Sequence, residues 1–360
     1  MENRERPSML RIRGLHISFR TTAGRVNAIR GVDLDLRRGE TLAIVGESGS
    51  GKSVTMKAVM GILSSNGKLE SGTIDFAPPD GGVWHIMDMS QSEIRRELAG
   101  KRIAMVFQDP MTSLDPTMSI GAQLTEGMRH HFGTPRREAE ERATALLRRV
   151  GITEAEAYMK SYPHQLSGGM RQRVVIAIAL SCSPDVLICD EPTTALDVTI
   201  QAKILEMIQD VQRERGLSVI YITHDLGVVA KIADCVNVMY AGKIVESGTV
   251  NDIFYDPRHP YTWGLLSSIP DPDSRDRKLF AIPGSPPNLL HPVRGDAFAP
   301  RNPYALGMDF LEEPPVFQVS ATHSAATWLL DPRAPRVEMP EELRRRIEAM
   351  QRENEAEVRA

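Results

Sequence analysis

Alternating apolar and polar residues near the start of the chain predict two β-strands. Residues 10–19 carry apolar side chains at Leu10, Ile12, Leu15, Ile17 and Phe19. Residues 32–36 repeat the alternation just before a polar turn at residues 38–40. Successive side chains of a strand point to opposite faces, so a period of two is typical of a half-buried strand. We expect these two strands to pair in an antiparallel sheet.

Short, continuously apolar runs predict a second sheet. They lie at residues 42–45, 103–107, 186–189, 218–223 and 236–240. Helical patterns separate them, at residues 54–62, 119–159, 170–180 and 199–214. Buried strands that alternate with helices indicate an α/β fold with a mainly parallel sheet, in which ligand groups gather at the C-terminal ends of the strands. Gln108, Asp190 and His224 each follow such a strand.

The segment GESGSGKS at residues 46–53 matches a phosphate-binding loop. In such a loop, consecutive backbone N–H groups curl around a phosphate, and glycines such as Gly49 and Gly51 allow backbone angles that a Cβ atom would penalise. We expect Lys52 to reach the β- and γ-phosphates of a nucleotide and Ser53 to bind Mg²⁺. A chance Gly/Ser-rich turn is the alternative, but the buried strand before the segment and the helix after it disfavour that interpretation.

The segment VLICDE at residues 186–191 predicts the second half of a nucleotide site. Its apolar strand would deliver Asp190 to Mg²⁺, and Glu191 would act as a general base on an attacking water. An acidic strand end is common by itself. It gains weight here because it follows a phosphate-binding loop within one α/β pattern.

The segment LSGGM at residues 166–170 predicts a second phosphate-binding helix end. Ser167 is expected to cap the helix, while Gly168 and Gly169 expose its first N–H groups. The two phosphate-binding helix ends lie on opposite sides of a helical insertion, so we do not expect both to reach one nucleotide within a single chain. A head-to-tail pair of chains resolves this, with each nucleotide between the loop of one chain and the LSGGM segment of the other.

Composition and charge are those of an ordinary globular protein. The 360 residues are 41% hydrophobic and 25% charged, and the net charge of −4 argues weakly against a dedicated nucleic-acid-binding protein. No apolar run approaches the length that crosses a bilayer, and the N-terminus lacks the apolar core of a signal peptide. We therefore expect a cytosolic protein whose cysteines are reduced thiols, at Cys182, Cys189 and Cys235.

The composition changes towards the C-terminus. Prolines recur densely between residues 256 and 340, which predicts an appended, loop-rich segment. Residues 341–360 predict a charged helix with a thin apolar stripe formed by Leu343, Ile347 and Met350. We expect a solvated terminal helix; a helix that binds a specific partner is the alternative.

Six motifs stand in the order found in the nucleotide-binding subunits of ATP-binding-cassette (ABC) transporters, which this chain resembles. They are GESGSGKS, the loop at Gln108, LSGGMRQR, CDEP, the loop that ends at Asp197, and ITHDL with His224. The resemblance covers about residues 10–250. It implies the P-loop NTPase fold of an ABC ATPase, with a mixed sheet core, an antiparallel β subdomain and a helical subdomain.

The resemblance also implies a role for each motif residue. Phe19 matches the position that stacks on adenine, Gln108 senses Mg²⁺ and water, and His224 contacts the γ-phosphate. Asp197 is expected to organise the dimer interface. The implied ATP-binding residues are Phe19, Gly46, Glu47, Ser48, Gly49, Ser50, Gly51, Lys52, Ser53 and Val54, with Ser167, Gly168, Gly169 and Asp197 acting in trans. The implied catalytic residues are Glu191, His224 and Gln108, and the implied Mg²⁺ ligands are Ser53, Gln108 and Asp190.

Four further segments resemble the ATPases of oligopeptide/dipeptide permeases. They are IRGV at residues 29–32, QDPMTSLDP at residues 108–116, HPYTWGLL at residues 259–266 and IPGSPPNLLHP at residues 282–292. The implied organisation begins with an ABC ATPase domain over residues 8–258, which includes a helical subdomain at about residues 110–180. An oligopeptide/dipeptide-transporter C-terminal extension follows over residues 259–340, and the charged helix covers residues 341–360.

The extension departs from many relatives in one respect. They place four cysteines there to hold an iron–sulfur cluster, whereas the aligned positions in this chain are Asp296, Asn302, Asp309 and Thr327. None of these side chains supplies a thiolate, so we predict no iron–sulfur cluster. We expect apolar and aromatic packing to hold the extension instead, by Phe298, Tyr304, Phe310, Phe317 and Trp328.

The resemblance implies the ATP-hydrolysing subunit of a multi-subunit importer of oligopeptides or dipeptides. Implied partners are two integral membrane permease subunits, a second ABC ATPase that is a paralogue or an identical chain, and, indirectly, an extracytoplasmic solute-binding protein. The chain would then be a peripheral protein at the cytoplasmic face of the cell membrane. The same motor serving nickel, opine or glutathione uptake is an alternative.

A soluble, non-transport ABC ATPase that acts on DNA or ribosomes is a remote alternative. Such proteins usually carry very long coiled coils or two cassettes, and this sequence has one cassette and no heptad insertion. A small-molecule P-loop kinase would lack the LSGGM segment. We therefore expect no nucleic-acid partner.

Overall fold

The β-strands of the chain form two sheets. The computed structural model describes residues 6–192, 198–269 and 281–359. The strands of these residues are, in chain order, β1 (Ser8–Thr21), β2 (Gly24–Arg37), β3 (Thr41–Val45), β4 (Gly67–Phe76), β5 (Trp84–His85), β6 (Ile103–Val106), β7 (Val186–Asp190), β8 (Ser218–Thr223), β9 (Cys235–Tyr240), β10 (Lys243–Thr249), β11 (Phe317–Gln318) and β12 (Ser324–Ala325).

The larger sheet is mainly parallel, as predicted. Its strands lie in the order β11-β12-β10-β9-β3-β8-β7-β6. β3 pairs in parallel with β8 and β9, and β7 pairs in parallel with β6 and β8. β10 runs antiparallel to β9, and the short strands β12 and β11 follow at the edge. The C-terminal ends of β3, β8, β7 and β6 are therefore neighbours, and the residues that follow them meet at one edge of the sheet.

The smaller sheet is antiparallel, as the alternating patterns predicted. Its strand order is β2-β1-β4-β5. Leu10 pairs with Leu36 on one side and with Phe76 on the other, and all three side chains are fully buried. These side chains belong to one hydrophobic core that includes Ile44 of the larger sheet, so the two sheets are packed together.

Helices connect the strands and cover the larger sheet. In the described residues they are α1 (Lys52–Val59), α2 (Gln91–Glu93), α3 (Pro110–Ser113), α4 (Ile120–Phe132), α5 (Arg136–Arg149), α6 (Ala155–Tyr158), α7 (Gly168–Leu180), α8 (Val198–Arg215), α9 (Leu226–Ile232), α10 (Val250–Tyr255), α11 (Pro260–Ser267) and α12 (Glu341–Arg359). A π-helical turn, Ile94–Leu98, continues α2.

Residues 119–159, which the pattern predicts to be helical, form the three helices α4, α5 and α6. Gly133 ends α4 with a left-handed φ of 63°, and Pro135 immediately precedes α5. A left-handed glycine stops a helix at little cost, and proline is readily accepted where the next helix begins. α4, α5 and α7 contribute to one core, in which Leu124, Leu147 and Ile176 are fully buried.

The segment after residue 258 packs on the rest of the chain. β12 pairs with β10, matching Ala325 with Glu246. Phe298 is buried with its ring centroid 5.3 Å from those of both Tyr240 and Tyr261. Aromatic rings arranged in this way add to the stabilisation that burial alone provides. The C-terminal extension, which includes α11, therefore shares a hydrophobic core with β9.

The expected aromatic packing holds for four of the five residues named from the sequence. Besides Phe298, Tyr304 packs edge-on against Trp263, with 5.5 Å between ring centroids. Phe317 and Trp328 pack against each other at 6.5 Å. The prediction for Phe310 is wrong: its side chain is 53% exposed, because it lies at the end of a short 3-10 turn on the surface.

The four positions aligned with the cysteines of cluster-bearing relatives are all buried. Each side chain accepts a hydrogen bond from a nearby backbone N–H group: Asp296 from Phe298, Asn302 from Tyr304, Asp309 from Leu306 and Thr327 from Leu329. Short polar side chains commonly stabilise turns in this way. These residues therefore act as local turn caps inside the extension.

The C-terminal helix packs on the chain, which corrects the expectation that it is simply solvated. Leu343 and Ile347 are buried and Met350 is partly buried, all within the core of the C-terminal extension. α12 packs against α10 and α11. Arg344, Arg345 and Glu348 are exposed, as expected for the polar face of an amphipathic helix. Arg346 is half-buried and donates a 2.7 Å hydrogen bond to the carbonyl oxygen of Ile269.

Two further expectations concern the membrane and the cysteines. Among residues 6–192, 198–269 and 281–359, no helix is both long enough and apolar enough to cross a bilayer. Cys182 and Cys189 are buried and Cys235 is half-buried, and all three are free thiols. Burial raises the pKa of the Cys182 thiol, so it stays protonated at neutral pH.

Candidate nucleotide-binding site

The loop between β3 and α1 has a backbone that requires glycine at two positions. Gly46 has a φ of 148°, and Gly51, directly before α1, has a φ of 109°. A Cβ atom on Gly46 would lie 2.1 Å from the carbonyl oxygen of Met239. One on Gly51 would lie 2.6 Å from the side chain of Ile29. Contacts with both sheets therefore fix the shape of this loop.

Lys52 lies inside the loop. Its ammonium group donates hydrogen bonds to the carbonyl oxygens of Gly46 at 2.7 Å and Glu47 at 2.9 Å. Burial lowers the pKa of Lys52, and the neighbouring carboxylates of Glu191, Asp190 and Glu47 oppose that shift. A buried cation thus lies at the start of α1, where the N-terminal end of the helix also favours an anion.

Ser53 and Asp190 join the loop to the end of β7. The Ser53 hydroxyl donates a 2.9 Å hydrogen bond to the Asp190 carboxylate. Asp190 is only 4% exposed, and burial raises its pKa, while the bond from Ser53 acts in the opposite direction. Two oxygen donors are therefore adjacent, and a hydroxyl with a carboxylate is a typical protein contribution to a Mg²⁺ site.

Glu191 is held between the ends of two other strands. The Gln108 amide donates to one carboxylate oxygen at 3.1 Å, and His224 Nδ1 lies 3.3 Å from the other. Glu191 has a left-handed φ of 47°, uncommon for a residue with a side chain. Its backbone N–H donates to the carbonyl oxygen of Ile222 at 2.9 Å, which holds this conformation. The geometry thus brings the predicted residues Gln108, Glu191 and His224 together.

One polar atom in the loop is buried without a partner. The Ser50 hydroxyl oxygen is inaccessible to solvent and has no hydrogen-bond partner among the residues that the structure describes. A buried hydroxyl is normally hydrogen-bonded. This group belongs to the GESGSGKS segment and faces Gly46, since a Cβ atom on that glycine would lie 3.2 Å from it.

The comparisons with known proteins decide the family. The ABC transporter family matches residues 29–194, and the C-terminal region of oligopeptide/dipeptide transporters matches residues 245–308. A dipeptide transport ATP-binding protein of Lactococcus lactis is 56% identical over 330 residues, covering 91% of this chain and 93% of that protein. An oligopeptide transport ATP-binding protein of Bacillus subtilis is 54% identical, covering 94% of each. This chain belongs to the ATP-binding subunits of ABC transporters.

Solved structures agree with this assignment. A dimeric bacterial ABC transporter cassette superposes with a TM-score of 0.59 at 25% identity, covering 67% of this chain and 99% of that one. The cbiO1 protein of Clostridium perfringens, part of the cbiONQ transporter complex, gives 0.57 at 32% identity and covers 69% and 91%. The predicted ABC ATPase fold is confirmed, and ATP is the nucleotide that this family uses.

The LSGGM segment of this ABC ATPase has the local structure predicted from its sequence. Ser167 is the N-cap of α7, and its hydroxyl accepts the Met170 N–H. Ser167 and Gly168 are exposed, and nothing lies within 4 Å of the place that a Cβ on Gly168 would occupy. The start of α7 is therefore open to a ligand or to another subunit.

The structure does not test the roles predicted for two other residues, Phe19 and Asp197. Phe19 lies on β1 opposite Gly67 of β4, is partly buried and packs against the core shared by the two sheets. Asp197 lies outside the described residues. Their roles in stacking on adenine and in the dimer interface stay predictions.

Sequence reasoning missed two residues that contact the loop. The hydroxyl of Tyr261 accepts the Glu47 N–H at 2.8 Å, and Arg301 makes two hydrogen bonds to the Glu47 carboxylate. Arg301 is 254 residues away from Glu47 along the chain. The HPYT segment drew attention to Tyr261 as a family feature, but no pattern in the sequence connects either residue with the phosphate-binding loop.

Proposed function

We propose that this chain binds and hydrolyses ATP at the site around Lys52 to drive the uptake of oligopeptides or dipeptides. The observation that carries the ATPase proposal is the position of Glu191, whose carboxylate is held by Gln108 and His224 beside the Ser53–Asp190 pair. The most similar relatives reported above are named for dipeptide and oligopeptide transport. Their similarity supports peptides as the cargo.

The residues of the site divide into binding and catalytic groups. The loop N–H groups and Lys52 would hold the β- and γ-phosphates. Glu191 would accept a proton from the attacking water, with Gln108 orienting that water and His224 contacting the γ-phosphate. Phe19 would stack on the adenine ring.

Ser53 and Asp190 would supply two adjacent oxygen ligands to a Mg²⁺ ion that arrives with ATP, and we propose Gln108 as a third ligand. No group of three or more His, Cys, Asp or Glu side chains in the described part of the chain is arranged as a metal site. Mg²⁺ usually takes only one or two carboxylates from a protein and completes its shell with phosphates and water. When bound, the ion neutralises charge on the transferred phosphoryl group.

The exposed start of α7 supports a shared site. We propose a head-to-tail dimer in which Ser167, Gly168 and Gly169 of one subunit close over the ATP bound to the other, with Asp197 at the interface. A relative of the same fold is described as a dimeric cassette. The second ATPase is either an identical chain or a paralogue.

The proposed assembly places the chain on a membrane complex. Two integral membrane permease subunits would receive the motion of the ATPase pair, and an extracytoplasmic solute-binding protein would deliver the peptide. The chain would be peripheral at the cytoplasmic face. We propose residues 8–258 as the motor, residues 259–340 as the family-specific extension and residues 341–360 as a terminal helix.

Reconstitution tests this function. The chain is combined in vesicles with its candidate permease subunits and binding protein, and uptake of labelled di- and oligopeptides is measured with and without ATP. We expect ATP-dependent peptide uptake that Glu191→Gln abolishes. Uptake of nickel or glutathione instead of peptides would show that the ATPase drives transport of that solute and that the proposed peptide substrate is wrong. Failure to co-purify with any membrane subunit would favour a non-transport ATPase.

A further inference from the structure

All polar groups of Glu47, a residue inside the phosphate-binding loop, are held by hydrogen bonds. Its carboxylate receives two bonds from the Arg301 guanidinium, at 2.7 and 2.9 Å. Its N–H donates to Tyr261 at 2.8 Å, and its carbonyl oxygen accepts from Lys52 at 2.9 Å. Glu47 thus connects the C-terminal extension on one side with the phosphate-binding lysine on the other.

Arg301 is buried in the extension, and further hydrogen bonds hold its side chain in place. Arg301 is 7% exposed as a residue and 5% as a side chain. Its Nε donates to the carbonyl oxygen of Pro283 at 2.8 Å, and one terminal nitrogen also reaches the Tyr240 hydroxyl at 3.2 Å. The hydrogen bonds to Glu47 raise the pKa of Arg301 further above its ordinary range. A bidentate pair of this kind fixes geometry as well as charge.

Packing against other aromatic rings holds the Tyr261 side chain in place. It is fully buried in α11, with its ring centroid 4.6 Å from that of Tyr240 and 5.3 Å from that of Phe298. These aromatic rings belong to the core of the C-terminal extension. The hydroxyl that receives the Glu47 N–H therefore cannot move without repacking that core.

The charge of Glu47 explains why this contact matters for ATP. The Glu47 carboxylate is among the charges that act on Lys52, and the loop is the proposed binding place of a polyanion. An unpaired carboxylate there would repel the phosphates and compete for the Lys52 ammonium. Arg301 pairs with that carboxylate through two hydrogen bonds and so offsets its charge.

We infer that Arg301 and Tyr261, both in the C-terminal extension, are positioning residues for ATP binding that hold Glu47 and so set the charge and shape of the phosphate-binding loop. The inference rests on the proposed ATP site around Lys52. It gives residues 259–340 a role within the ATPase itself, because the affinity for ATP depends on their docking. Neither residue touches the reacting atoms.

Equilibrium binding of Mg–ATP to the purified full chain tests this. Arg301→Gln is expected to raise the Kd about tenfold, with the rate per bound ATP nearly unchanged, since it exposes the Glu47 charge without altering Glu191. The double variant Glu47→Gln with Arg301→Gln removes both charges and is expected to return the Kd to within about threefold of wild type. This rescue separates the charge effect from simple loss of structure.

Arg333→Gln is the matched control, because Arg333 is an exposed arginine of the same extension that pairs with Asp331 and does not contact the loop. Tyr261→Phe is expected to weaken binding less than Arg301→Gln, because it removes one neutral hydrogen bond. A Kd for Arg301→Gln equal to that of Arg333→Gln overturns the inference. So does a double variant that binds as weakly as the single one.

Lys52→Ala distinguishes this inference from the site on which it rests. If Lys52→Ala binds Mg–ATP as tightly as wild type, the proposed ATP site is wrong, whatever the arginine variants do. If Lys52→Ala loses binding while Arg301→Gln keeps it unchanged, only the inference about the extension fails.

Discussion

The Ser53 hydroxyl donates a 2.9 Å hydrogen bond to the Asp190 carboxylate across 137 residues of sequence. This bond joins the first turn of α1 to the end of β7. It keeps a buried carboxylate in place although burial raises its pKa and so disfavours its charged form. The arrangement costs stability and retains an oxygen donor for a cation, a common compromise at functional sites.

Asp190→Asn is therefore expected to stabilise the protein without nucleotide and to damage Mg²⁺-dependent binding. The amide still accepts the Ser53 hydrogen bond but removes the buried charge, so the thermal midpoint without ATP should rise by a few degrees at pH 8. Mg–ATP should add little further stabilisation, whereas it raises the wild-type midpoint. Asp210→Asn on the exposed face of α8 is the control. A normal Mg–ATP shift in Asp190→Asn would exclude this residue as a ligand.

Glu191→Gln is expected to bind ATP but to lower turnover by about 10²- to 10⁴-fold, the usual contribution of a general base. The glutamine keeps the size of the side chain and still bonds to Gln108. Closed dimers should accumulate with ATP, because binding closes the shared site and hydrolysis reopens it. Turnover and light scattering measure the two effects.

Glu214→Gln on α8 is the matched control for Glu191→Gln, because Glu214 is exposed and pairs with Arg149 away from the site. It should hydrolyse ATP like wild type. Undiminished hydrolysis by Glu191→Gln would remove Glu191 as the base.

Local patterns predicted most of the strands and helices, and they predicted the site residues that follow the parallel strands. The strand at residues 218–223 was placed to the residue, and the Ser167 cap was expected from LSGGM. Gln108, Asp190 and His224 were expected to converge because parallel strands end at one edge of a sheet. Gln108 and His224 do converge, on the carboxylate of Glu191. Periodicity and helix capping are properties of neighbouring residues, so the sequence displays them directly.

Long-range packing was not predictable in the same way. The pairing of Arg301 with Glu47 depends on how a proline-rich segment folds back over β9, and no local pattern specifies that. The burial of Leu343 and Ile347 likewise depends on which surface lies beneath α12. Phe310 was expected to pack in the extension because it is aromatic, but its side chain lies on the surface. Such contacts are decided by the tertiary structure as a whole.

A mixing experiment tests whether the ATP site is shared between two chains. Lys52→Ala breaks the phosphate-binding loop, and Gly168→Glu places a negative charge at the start of α7, where open space admits the side chain. Each variant alone should be nearly inactive. In a head-to-tail dimer of the two, one site combines an intact loop with an intact α7, so mixing should restore about a quarter of wild-type hydrolysis.

Gly168→Ala is the control for the mixing experiment, because it fills the same space without charge and should stay active. No recovery on mixing, with both variants folded and dimeric, would place the whole site within one chain. A specific activity that does not depend on protein concentration would also indicate that the whole site lies within one chain.

Chemical analysis tests the prediction that the extension holds no iron–sulfur cluster. Asp296, Asn302, Asp309 and Thr327 offer no thiolate, and each already caps a turn. Protein purified without oxygen should contain far less than one iron and one sulfide per chain. Stoichiometric iron with sulfide would show that other residues ligate a cluster.

Asp296 makes the stability of the extension depend on pH. Burial raises its pKa to about 6, and the nearby carboxylates of Asp309 and Glu313 act in the same direction. Because the pKa is raised in the folded chain, the protonated form favours folding. This contribution is present below the unfolded pKa and is lost as pH rises through about 6, so at pH 8 the buried charge costs about 3 kcal/mol.

Asp296→Asn is therefore expected to stabilise the chain at pH 8 by about that amount, since the amide still accepts the Phe298 N–H. The gain should shrink between pH 7 and pH 4, where the wild-type carboxylate becomes protonated. Asp331 provides the opposite case: hydrogen bonds from Arg333 lower its pKa to about 2, so Asp331→Asn should destabilise the chain at pH 8. Urea unfolding at several pH values measures both. A stabilisation by Asp296→Asn that is equal at pH 8 and pH 4 would rule out the charge as its cause.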